Sequence, residues 1–134
     1  MRDDLADRIA IRELTARYNN AWIDRDPEAW CDTFTEGGSL EVVDGPTIRG
    51  HDALREMFKA MDSALVHFTT DAVITVDADQ ATQRCSVMTA APTAQGDQVQ
   101  LTGVGHYSDS LVRTAQGWRF ARRTVVSKPI APAG

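Results

Sequence analysis

Apolar residues recur at helical spacing over the first two dozen positions. Leu5, Ile11, Leu14, Tyr18, Ala21 and Trp22 lie three, four or seven apart with Arg and Asp between them, the stripe of one long amphipathic helix over Leu5–Asp24. Asp3, Asp4 and Asp7 crowd its first turns, where carboxylates meet the positive end of the helix dipole. Asp26-Pro27-Glu28 reads as an N-cap followed by proline at the first helical position. It opens a second helix, Pro27–Thr35, that buries Trp30, Cys31 and Phe34 and is stopped by Gly37-Gly38. Ser39–Val43 then predicts a short strand, Asp44-Gly45-Pro46 a turn, and His51–Met61 a third helix with Leu54, Met57 and Phe58 inward.

From Val66 the period changes from helical to alternating. Val66–Val76, Ala81–Thr89, Val99–Val112 and Trp118–Val126 read as strands, with turns at Asp77–Asp79, Gln95–Asp97 and Ala115–Gly117. Gly103 and Gly105 sit inside the longest of them and mark a bulge or bend. If that strand is regular, His106 shares a face with Val104 and Val112, and Tyr107 shares the opposite face with Asp109. Arg122 and Arg123 fall on opposite faces of the last strand, one of them placed to pair with Asp109. Helices followed by a run of antiparallel strands define an α+β fold. One domain over 1–126 is expected, with a tail, 127–134, too rich in proline to continue the sheet.

Composition narrows the function. The 134 residues suit one domain with a real core. A net charge of −5, without a basic stripe, argues against nucleic acid as a partner. No apolar run approaches the ~20 residues of a membrane span, and Met1-Arg-Asp-Asp4 lacks a secretory apolar region. Cys31 and Cys85 have no C-x-x-C spacing and read as small buried hydrophobes in a reducing, cytoplasmic setting. His51, His67 and His106 carry no metal-ligand spacing, and no phosphate loop or nucleophile elbow is present.

His67 opens the segment His67-Phe-Thr-Thr-Asp-Ala-Val-Ile-Thr-Val-Asp77, a lone histidine ahead of an alternating β-branched run. Imidazole is the one side chain able to exchange a proton near neutral pH without help, so His67 is the candidate base. A histidine satisfied at a strand edge is the alternative. Tyr18, on the buried face of the first helix, must find a partner for its hydroxyl, either a substrate oxygen or a core acceptor.

Ile11-Arg-Glu-Leu14, Arg17-Tyr18, Asp26-Pro-Glu-Ala-Trp30, Ile48-Arg-Gly-His-Asp-Ala-Leu54, His67-Phe-Thr-Thr70, Gly105-His-Tyr-Ser-Asp109 and Gly117-Trp-Arg-Phe120 together resemble the SnoaL-like branch of the nuclear transport factor 2 superfamily. That resemblance implies a cone-shaped curved antiparallel sheet wrapped on three helices (a cystatin-like α+β barrel), a homodimer, one deep apolar pocket and no cofactor. It further implies His67 as general base for a dehydratase-, cyclase- or isomerase-like reaction on a small apolar, cyclic or polyketide-like molecule. Tyr18 would be the hydrogen-bond donor, and an aspartate late in the first helix would orient the imidazole. Ungapped alignment puts Ile23 at that aspartate's position, with Asp24 one residue later and ~100° round the helix. The isomerase branch's base would fall near Val42, which cannot transfer a proton. Trp22, Val42, Phe58, Met88 and His106 are the candidate substrate-binding residues, His67, Asp24 and Tyr18 the catalytic ones. A non-catalytic ligand-binding or dimerisation domain that kept the pocket and lost the dyad is the other reading.

Overall fold

The computed structural model describes residues 3–61 and 65–130. α1 spans Leu5–Ile23 and buries Ile11, Leu14, Thr15, Tyr18, Ala21 and Trp22. Leu5, expected to begin the stripe, is 59% exposed, so the buried face starts two turns later. Asp26 caps α2 (Pro27–Cys31) by accepting a hydrogen bond from the Ala29 amide at 3.0 Å. The helix ends sooner than its pattern suggested, and Phe34 is already the first residue of β1 (Phe34–Val42). Gly37 and Gly38 lie within that strand instead of stopping a helix. A Cβ on Gly38 would sit 2.9 Å from the Phe120 carbonyl, so close approach of the last strand accounts for a glycine there. A short β2 (Thr47–Arg49) pairs back on β1, and α3 (His51–Ala60) buries Leu54 and Phe58.

The remaining strands are β3 (Val66–Asp77), β4 (Gln80–Pro92), β5 (Val99–Thr114) and β6 (Gly117–Pro129). The sheet order is β2-β1-β6-β5-β4-β3. Consecutive strands from β3 to β6 are antiparallel, but β1 lies parallel to β6. The sheet is therefore mixed and open, where the resemblance implied an antiparallel one closed as a barrel. The physical reason is that β1 enters after the first two helices and joins the last strand, a neighbour far away in sequence. β6 also continues through Pro129, opposite Gly103, past the Val126 boundary expected for the tail. Ala131–Gly134 of that tail lie outside the described residues.

One sheet face is inward. Cys85 and Val87 of β4, Tyr107, Asp109 and Leu111 of β5, and Trp118, Phe120 and Arg123 of β6 are buried there, and α1 packs across β3 and β6. Gly105 explains itself: a Cβ would overlap the Val126 carbonyl of β6. One end of the core is stapled by Asp7 of α1. It accepts from Arg113 Nη1 at 2.7 Å and from the Trp118 indole at 3.1 Å, while Arg113 also reaches Asp79 at 3.0 Å.

Candidate functional site

The other end of the interior holds His67, near the start of β3. Its ring lies 5.2 Å from Trp22 at 31°, and 6.3 Å from Tyr18 edge-on. These are packing contacts rather than hydrogen bonds, and the imidazole Nδ1 is buried without a partner. Burial, and then the charge of Arg123, push its pKa down to about 4, so the ring is neutral at physiological pH.

Arg123 is the centre of the interior. A bulge at Ala121, between the Leu111–Phe120 and Ser110–Arg122 pairs, shifts the alternation of β6 and turns Arg123 inward, fully buried. Its guanidinium carbon lies 3.5 Å from the Tyr107 ring centroid and 4.4 Å from those of Tyr18 and Phe120. A cation in an aromatic box is favourable once desolvated. Asp109 completes it: Arg123 Nε and Nη2 donate to its two oxygens at 2.9 and 3.3 Å. Gln83 Nε2 donates to the same carboxylate at 2.9 Å and to Thr15 Oγ1 at 3.0 Å. Burial works against the Arg123 charge, but Asp109 and its neighbours hold the guanidinium above its ordinary range. Burial likewise raises the Asp109 carboxyl, against the pull of Arg123 and Gln83. One guanidinium nitrogen, Nη1, is buried and uncommitted. Burial raises the hydroxyls of Tyr18 and Tyr107, so both stay protonated and able to donate.

The structure brings His67, Tyr18 and Trp22 together and leaves Asp24 out. Asp24 is the C-cap of α1, exposed, on a cleft shared with Arg17, Ala29 and Asp32. His67 opens on a different cleft, of about 520 Å³, with Arg12, Asn19, Ile23 and Thr69. Ile23 thus does hold the position facing His67, and no carboxylate among the described residues hydrogen-bonds the imidazole. Trp22 and Phe58 are buried at 4.2 Å between centroids, as core aromatics. Val42 is half-buried at the end of β1, against Val125. Met88 and His106 belong to the outer face: Met88 is opposite Phe68 and Val104, His106 opposite Ser86 and Val126. His51 is half-buried and its Nε2 lies 3.1 Å from the Phe34 carbonyl. Three polar residues of the interior were not singled out from the sequence: Gln83, Arg123 as a site residue, and Asn19, whose amide donates to Thr69 Oγ1 at 3.0 Å. Asn19 stands one turn before Ile23, on the same face, which was the available signal.

In this chain helices lie on one face of an open mixed sheet, and a strand histidine faces inward. The chain belongs to the SnoaL-like domain family, whose profile matches residues 3–124. Among solved structures it is similar to Rv3472 of Mycobacterium tuberculosis, a protein of unknown function, at 36% identity and a TM-score of 0.85, over 92% of this chain and 72% of that one. An NTF2-like protein with a cystatin-like fold from Novosphingobium aromaticivorans is 30% identical, TM-score 0.84, over 91% and 82% of the two chains. A ketosteroid isomerase-like protein from Erwinia carotovora atroseptica, at 22% identity and TM-score 0.71 over 98% and 100%, shares the fold. No curated protein matches. Among the described residues no helix is long and apolar enough to cross a membrane.

Proposed function

We propose that this chain is a cofactor-independent lyase or isomerase that removes a proton next to a carbonyl or leaving group of a small molecule. The observation that carries the reading is a pair of uncommitted buried atoms, His67 Nδ1 and Arg123 Nη1, on two residues that both pack against the Tyr18 ring. A neutral imidazole can accept a proton, and a guanidinium N–H in a dry site can take the negative charge that develops on oxygen. Tyr18, held protonated, is the second donor to that oxyanion. As the enolate forms, its charge compensates the new imidazolium, which offsets the low basicity of the free ring. The activity should rise with pH through about 4 and be flat across the neutral range.

The test is deuterium exchange. Cyclic ketones and 1,3-diketones incubated in heavy water with the protein should gain deuterium at the α-carbon. His67→Ala should slow this by ~10²–10⁴-fold, and Tyr18→Phe should lower turnover more than it weakens binding. Absence of exchange above buffer for every compound, with binding unchanged in His67→Ala, would establish the second reading, a ligand-binding domain. That reading is favoured by one observation, the placement of Asp24 on a cleft apart from His67.

A further inference from the structure

Partway along β3 the ladder is interrupted. Between the Thr70–Ser86 and Val73–Arg84 pairs, Asp71 and Ala72 stand against the single residue Cys85, one residue in excess, and Asp71 takes a φ of 62°. Cys85 on β4 consequently has no one-to-one ladder partner on β3. At this bulge lies a cleft of about 400 Å³ whose lining includes Arg12, Thr15, Asp71, Gln83 and Cys85. Bulges commonly re-aim side chains beside functional sites, and here the lining contains an unfinished hydrogen-bond set.

Gln83 is 3% exposed, and its amide orientation is fixed by chemistry. The atom facing the Asp109 carboxylate must be the nitrogen, because an ionised carboxylate only accepts. The same nitrogen donates to Thr15 Oγ1. Two consequences follow. Gln83 Oε1 is left buried without a donor, and the Thr15 hydroxyl, having accepted, keeps its own proton to give. An acceptor and a donor thus stand side by side, fixed by a buried ion pair behind them. Asp109 and Arg123 neutralise each other, and the rim residues Arg12 and Asp71 carry opposite charges, so the cleft offers no net field to a charged ligand.

We propose that this cleft is a binding site for a neutral small molecule bearing an adjacent N–H donor and C=O acceptor, a primary carboxamide or a lactam. Its N–H donates to Gln83 Oε1, and its carbonyl accepts from the Thr15 hydroxyl. The site does not depend on the proton chemistry assigned to His67, although Arg12, Thr69 and Thr70 border both clefts.

Titration of the isotope-labelled protein with 2-pyrrolidinone, and separately with cyclopentanone, tests this by solution NMR. The lactam should give saturable shifts at the Gln83 side-chain amide and the Cys85 backbone amide. The ketone, which lacks the N–H, should bind about five- to tenfold more weakly, the value of one hydrogen bond. Gln83→Met should erase the preference. If that variant does not fold, Thr15→Val should weaken lactam and ketone by a similar factor, because both present a carbonyl to the lost hydroxyl, and leave the lactam's preference intact. Equal affinity for both probes, no saturable shift, or shifts confined to the His67 end would overturn the proposal.

Discussion

Arg123 carries the largest single liability in the molecule, a fully buried guanidinium whose charge is answered by one carboxylate. Removing a partner from such a pair leaves a charge stranded, which is far costlier than removing both. Asp109→Asn is therefore expected to cost about 3–5 kcal/mol, read from urea unfolding. The double variant Asp109→Leu with Arg123→Met should recover a large part of that loss. This pairing was legible in the sequence, because alternation puts Tyr107 and Asp109 on one face and only one of Arg122 and Arg123 can join them. His67 makes a second residue-scale prediction. Its folded-state pKa, about 4, lies below the unfolded value, so the unfolded chain binds the extra proton first as pH falls. The resulting stability is present above ~6.5 and is lost as pH drops toward 4, by roughly 3 kcal/mol in all. Unfolding midpoints of the wild type and His67→Gln should converge over that window. Asp24 was not legible in the same way. One helical position decides between two clefts: the ungapped alignment put Ile23 where the orienting aspartate would stand, and the structure places Ile23 on the cleft of His67 and Asp24 on the other.

At the level of elements, the hydrophobic period located α1, α3 and the four long strands to within a few residues. The second half of β1 was expected as the Ser39–Val43 strand. Its first half escaped because Thr35-Glu-Gly-Gly-Ser39 lacks β-branched and aromatic character, and its extended form comes from pairing with β6 rather than from propensity. The bulge at Asp71–Ala72 has no glycine to advertise it. By contrast, Gly105 was marked by its residue type, and the structure supplies the reason in the Val126 carbonyl. Gly105→Val should force β5 and β6 apart. A loss of about 3 kcal/mol or more is expected for such overpacking, with amide exchange rising first in the Gly103–Ser108 and Thr124–Pro129 ladder.

For the whole molecule, the layer type was legible in the sequence but the strand order was not, since nothing local records that β1 lies beside β6. The outer face also matters at this scale. Phe68, Met88 and Val104, 50%, 38% and 41% exposed, form one apolar row across β3, β4 and β5. We propose that a second copy of the chain covers this row, as the family resemblance implies. Light scattering should then give a dimer at tens of micromolar, and Val104→Arg should give a folded monomer. A wild-type monomer at that concentration would refute the assembly.

The proposed site depends on His67 being a neutral imidazole with no carboxylate partner among the described residues, poised by burial and by Arg123. Titration of its ring nitrogens by long-range proton–nitrogen NMR measures this directly. The expected midpoint is about 4, with the neutral form persisting through pH 6. A midpoint at or above the ordinary histidine value of ~6.5 would mean that a carboxylate does reach the ring, and would contradict the site described.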